Sequence, residues 1–190
     1  MTDTMLEKAG LGLEAPKTTE RHRVAALVGD PRTHSRTASL ASAVAVRLAR
    51  EIIGGASPDA SWRVIDLATD TESWGRRPPE EPLAAMSNAQ IVVVASPVRR
   101  GSYTGLTKLF LDALPDRALA GTTAIPVMVA RTPRHALAPD VHLRPLLIEL
   151  GASCPTPSIF ALESRLSNPG AICGAWMERA RPALRHLAAG

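Results

Sequence analysis

Ile91-Val92-Val93-Val94-Ala95 is the stretch that most narrows the folds open to this chain. It is a continuous apolar, mainly β-branched run with no polar alternation, so a strand made from it must be covered on both faces. That situation arises inside a parallel sheet sandwiched between helices. Val24–Gly29 opens on a second such run, and Ala124–Ala130 (AIPVMVA) is a third, with Pro126 implying an irregular start or an unpaired donor side. Trp62–Leu67 (WRVIDL) alternates as a strand does, and Ser158–Leu162 is a weaker strand near the end. Between these runs the apolar spacing changes to that of helices. Ser35–Ile53 is ended by Gly54-Gly55, Leu83–Asn88 is short, and a third helix runs from Tyr103 or Thr104 to Leu114. Ala136–Leu150 reads as one helix stopped by Gly151, and Ala171–Ala188 as a closing helix kinked at Pro182.

Alternating strands and helices predict a three-layer α/β/α domain around a five-stranded parallel sheet. Right-handed crossovers favour the strand order 2-1-3-4-5. In that order the loops after strands one and three, Gly29–Thr37 and Ser96–Thr104, meet at one crevice. Residues 1–22 read as a tail without stable structure, and 23–190 as a single domain.

The first loop, Gly29-Asp30-Pro31-Arg32-Thr33-His34-Ser35-Arg36-Thr37, ends a strand at glycine and enters a helix through hydroxyl residues. Unpaired N–H groups at a helix start, with Ser and Thr hydroxyls and arginine forks nearby, suit a phosphate. The same residues also read as a polar turn in which Ser35 merely caps the helix. Asp30 opposes an incoming anion. The second loop carries Pro97, Gly101 and Gly105, which bend the chain and permit close backbone approach to a flat ring. The convergence of both loops favours the phosphate reading.

Composition excludes other classes. The net charge is +4, but lysines occur only at positions 8, 17 and 108, the arginines are scattered, and aromatics are 3% of residues. That is poor material for a nucleic-acid surface. No apolar run reaches the length of a membrane span, and the N-terminal residues lack the apolar core of a secretion signal. Cys154 and Cys173 show no metal-ligand or CxxC spacing, so they read as structural thiols and the cytoplasm as the compartment. Ser96 and Ser102 have no nucleophile-elbow context, and the histidines no ligand spacing.

The segments G-D-P-R-T-H-S-R-T, then A-S-P-V-R-R-G-S-Y-T-G-L-T-K-L-F-L-D-A-L-P, then L-A-G, resemble the NAD(P)H-dependent FMN reductases. The most similar branch is the flavodoxin-like one that accompanies alkanesulfonate monooxygenases. The resemblance runs from about Val24 to Leu162. It implies a flavodoxin-like fold and hydride transfer from NADPH or NADH to FMN, with the reduced flavin passed to oxygen, a quinone or a partner monooxygenase. By the same resemblance Arg32, Ser35 and Thr37 would hold the FMN phosphate. Pro97, Val98, Gly101, Ser102 and Tyr103 would contact the ribityl chain and isoalloxazine, with Arg99 beside the flavin face. Thr132, in the loop Arg131–His135, would cover the pyrimidine end. A homodimer or homotetramer is implied too, and no general base is needed because the cofactors carry the chemistry.

Three positions depart from the family pattern. Asp30 replaces a serine, Arg99 replaces an aromatic residue, and Arg131–His135 lacks a glycine pair and is shorter. They motivate two alternatives: a flavodoxin-fold binding protein without catalysis, or an NAD(P)H quinone reductase with bound FMN.

Overall fold

The computed structural model describes residues 23–53, 62–69 and 78–187. The tail expected over residues 1–22 and the end of the closing helix at Ala188 lie outside the described residues. The elements are β1 (Val24–Val28), α1 (Arg36–Glu51), β2 (Trp62–Asp66), α2 (Glu80–Ser87), β3 (Ile91–Pro97) and α3 (Gly105–Leu111). They continue with β4 (Thr123–Ala130), α4 (Arg144–Glu149), β5 (Ile159–Leu162) and α5 (Pro169–Leu184). All strand pairs are parallel and the sheet order is β2-β1-β3-β4-β5, as the alternation predicts.

The continuous apolar runs are explained by the two faces of the sheet. Val24, Ala26, Val28, Ile91, Val93 and Ala95 pack with Leu40, Val44, Leu48, Trp176 and Met177 of α1 and α5. The intervening Ala25, Leu27, Val92 and Val94 pack with Met86, Phe110, Leu111, Leu143 and Leu147 on the other side. Each residue of β1 and β3 is buried, whichever face it serves. The alanines of α1 at 41, 45 and 49 turn toward the sheet and let the helix backbone approach it closely. The indole of Trp176, fully buried, donates to the Pro157 carbonyl at 2.7 Å, which satisfies its polar end inside the core.

Pro126 sits within β4, opposite Val94 of β3. The N–H of Thr123 donates toward β3, to Gln90, and that of Ala124 toward the β5 side, to Ser153. By alternation Pro126 faces the β5 side, and β5 begins to pair only at Val127. The missing donor therefore falls where the neighbouring strand has not started.

The expected continuous helix over Ala136–Leu150 is instead a tight turn at Pro133–His135, a wide helical turn at Pro139–Leu143, and the six-residue α4. Pro133, Pro139 and Pro145 each remove a donor, which apolar spacing alone does not reveal. Arg144 staples this segment to the approach to β5. Its guanidinium donates to Asp140 at 2.9 Å, to the Cys154 and Thr156 carbonyls at 2.5 and 2.9 Å, and to Ser158 at 2.9 Å. Both cysteines are free; Cys173 is buried, and desolvation raises its thiol to about 11, while Cys154 is half-buried. α5 runs through Pro182 to Leu184 and tightens into a turn over Arg185–Leu187.

Just beyond the end of β1, Gly29 leaves no room for a side chain. A Cβ on Gly29 would lie 1.8 Å from Thr107 Oγ1 and 2.9 Å from Thr107 Cβ. Gly29→Ala is therefore expected to destabilise the fold by about 2–3 kcal/mol through overpacking. Adding Thr107→Ala should restore part of the loss by removing the nearer atom. Urea unfolding of the two variants checks this.

Candidate functional site

Two loops converge at the carboxyl ends of the strands, joined by a short chain of buried hydrogen bonds. Gly29 N–H donates to the Ala95 carbonyl at 2.8 Å, and the Gly29 carbonyl accepts from Thr104 Oγ1 at 2.6 Å. Thr104 is also the N-cap of α3, accepting from Thr107 N–H at 3.1 Å, and its own N–H donates to Ser96 Oγ at 3.0 Å. One hydroxyl thus ties the first loop to the start of α3, and a second fixes the bend of the loop after β3.

In the first loop, Asp30 is fully buried. Its carboxylate accepts from Arg32 N–H at 3.1 Å, from Arg32 Nε and Nη2 at 3.2 Å each, and from Thr37 Oγ1 at 3.0 Å. Burial alone would push this carboxyl up. The hydrogen bonds from Arg32 and Thr37, with the Arg32 charge, outweigh burial and hold it below its ordinary value. Ser35 accepts from Ala38 N–H at 3.1 Å and so caps α1. Of the three residues expected at a phosphate, two hold Asp30 and the third holds the helix end.

The second loop leaves the sheet through Val98, whose N–H donates to Val129 at 2.7 Å, and folds into a small hairpin. Arg99 and Ser102 exchange backbone bonds of 2.7 and 3.0 Å, while Arg100 (φ 52) and Gly101 (φ 86) form its tip. Arg100 occupies the left-handed region that a two-residue turn of this hand demands, which strains a residue bearing a side chain. Arg99 and Arg100 are exposed; Gly101, Ser102 and Tyr103 are half-buried.

Arg32, Thr37, Pro97, Val98 and Arg99 line one crevice with Arg36, Arg131 and Glu163. Ser35 lies beneath it as the cap, and Gly101, Ser102 and Tyr103 belong to the adjoining hairpin. Thr132 is half-buried in the loop after β4 and accepts from Arg134 Nε at 3.2 Å. The crevice encloses about 100 Å³, less than the roughly 300–1,000 Å³ of ordinary ligand pockets. A larger cavity of about 440 Å³ lies between α1 and α5, lined by Val46, Arg50 and Cys173. It is toward the opposite end of α1 from the two loops, and carries none of this polar convergence.

Glu163, directly after β5, is the part of the site that sequence reasoning missed. It meets Arg131 Nε at 3.3 Å and Arg32 Nη1 at 3.9 Å, and its carbonyl accepts from Arg36 Nη1 at 2.8 Å. No motif surrounds it; the usable signal was its position at the carboxyl end of the fifth strand, on the same edge as the two loops. Among the described residues no cluster of three His, Cys, Asp or Glu could hold a metal ion.

The family described as NADPH-dependent FMN reductase matches residues 22–166. An FMN reductase (NADPH) of Escherichia coli (strain K12) is 32% identical over 150 residues, covering 76% of this chain and 75% of that protein. An NADH-dependent FMN reductase of Pseudomonas putida is 32% identical over 130 residues, covering 65% of this chain and 68% of that one. Among solved structures, the apo form of an NADH:FMN oxidoreductase superposes with a TM-score of 0.69 at 33% identity, covering 87% of this chain and 88% of the other. A Streptococcus pneumoniae flavodoxin, 18% identical with a TM-score of 0.54, shares the fold over 87% of this chain and 98% of its own.

Asp30 gives the site an acid-sensitive signature. With its folded value below the ordinary 3.8, its stabilising contribution is complete above that pH and is lost as pH falls through the folded value. Asp30→Asn should therefore show a shallower loss of stability below about pH 4 than the parent. Denaturant midpoints measured from neutral to strongly acidic pH check it.

Proposed function

The chain belongs to the NADPH-dependent FMN reductase family, and from that membership we propose that it passes a hydride from a reduced nicotinamide nucleotide to FMN at the crevice between the first loop and the hairpin. The observation that carries this reading is the meeting of those two loops through Gly29 and Thr104 at the switch point of the sheet, where doubly wound folds take their ligands. The nicotinamide supplies the hydride and the isoalloxazine accepts it; that chemistry is intrinsic to the two cofactors.

The chain's own residues position and shield. Pro97, Val98, Arg99, Gly101, Ser102 and Tyr103 form the support for the flavin ring, with Val98 and Tyr103 packed on the core beneath. Thr132 and its loop border the pyrimidine end. Arg32, Ser35 and Thr37 stand at the phosphate end. The ring end fits a flat heteroaromatic group, because the hairpin offers backbone and half-buried side chains beside an open edge. The phosphate end already contains the Asp30 carboxylate. Holding both rings in contact range is the protein's main contribution to rate.

The finer reading extends to the surroundings. Leu109, Leu137, Val141 and Ile148 are exposed on α3 and on the segment from Leu137 to α4, which supports a homodimer or homotetramer covering this apolar face. No helix among the described residues is long and apolar enough to cross a membrane. The reduced flavin is proposed to leave for a flavin-dependent monooxygenase in the cytoplasm.

Purified chain supplied with NADPH should oxidise it only when FMN is present; no FMN-dependent oxidation would refute the proposal. The exposed Arg99-Arg100 pair suits the 2′-phosphate that distinguishes NADPH from NADH. Replacing Arg100, which stands outside that flavin support, with alanine should lower kcat/KM for NADPH by about tenfold, the worth of one charge-assisted contact, and spare NADH. Steady-state rates with both donors check this.

A further inference from the structure

We propose that Asp30 sets which flavin this site takes: its carboxylate holds the place in the cradle that a flavin phosphate would hold, so riboflavin is accepted on nearly equal terms with FMN. The inference rests on the crevice being the flavin site, and concerns only its phosphate end.

Two of the side-chain donors that could receive a phosphate there are already engaged. The Arg32 fork grips Asp30 with two side-chain bonds, and the Thr37 hydroxyl donates to the same carboxylate. Ser35 Oγ accepts from Ala38 N–H, which caps α1. Of the neighbouring cations, Arg131 pairs with the Glu163 carboxylate, while Arg36 donates to the neutral Glu163 carbonyl. A phosphate dianion that recruits the Arg32 fork or the Thr37 hydroxyl takes it from a buried anion, then lies against that anion. Each relief available to Asp30 is costly. Protonation is opposed near neutrality, since its partners hold the carboxyl in its charged form. Backbone withdrawal is opposed by Gly29, clamped on one side to Ala95 and on the other to Thr104. Rotating the side chain alone would leave a fully buried carboxylate without its donors. Riboflavin brings the same ring and ribityl chain and asks for none of this.

The test is the dissociation constant of FMN and of riboflavin, read by quenching of flavin fluorescence, for the parent, Asp30→Ser and the near-isosteric Asp30→Asn. In the parent the two constants should agree within about threefold. In both variants, loss of the buried negative charge should tighten FMN by about tenfold or more while riboflavin stays nearly unchanged. Thermal melting of each protein identifies a variant that has not folded, and the parent's ratio tests the proposal without any variant. A parent that binds FMN more than about tenfold tighter than riboflavin overturns the role given to Asp30 and leaves the flavin site standing. So does an equal weakening of both flavins in folded variants, the mark of a purely structural residue. If neither flavin binds the parent or a folded variant, the flavin site itself is wrong, and the inference falls with it.

Discussion

Everything at the working edge of this molecule depends on how closely β1 approaches the start of α3. Gly29 has no side chain, so Thr107 can pack directly over it and Thr104 can reach its carbonyl. The same Thr104 oxygen caps α3, and the Thr104 amide is held by Ser96. Strand end, helix start and following loop are thereby fixed by a few short polar contacts in a dry environment, where such bonds are strong and costly to break. The floor of the crevice is rigid, which leaves selectivity to the side chains above it.

Those side chains mix both signs: the carboxylates of Asp30 and Glu163 stand among Arg32, Arg36, Arg99 and Arg131. Asp30 answers Arg32, and Glu163 answers Arg131 and, at longer range, Arg32. Arg32 and Arg131 are well exposed while Asp30 is fully buried, so the two acids differ in kind. The buried one is part of the fold and cannot easily release its partner. Glu163 is more open to water, its pairings are screened, and they exchange at little cost.

Much of this was legible in the sequence because the relevant physics is local or periodic. The apolar runs of β1 and β3 announce burial on both faces, and the glycine, hydroxyl and arginine pattern marks the first loop. Sheet order follows from alternation and crossover handedness. Ser35 showed both of its possible roles and the structure shows it capping α1. What was not legible depended on distance in space. That Asp30 would be gripped by Arg32 and Thr37, not merely oppose an anion, requires the turn geometry. Glu163 carries no motif, and joins the site only because β5 ends beside β4. The break in the segment before α4 was hidden because helical apolar spacing survives prolines that interrupt its hydrogen bonds.

A cradle built only from donors is complete only when its ligand arrives; until then its cations repel one another and its N–H groups rely on water. By carrying Asp30 in that position, this chain supplies the counter-charge itself. The charge balance of the first loop is therefore part of the polypeptide itself and is present before any ligand arrives.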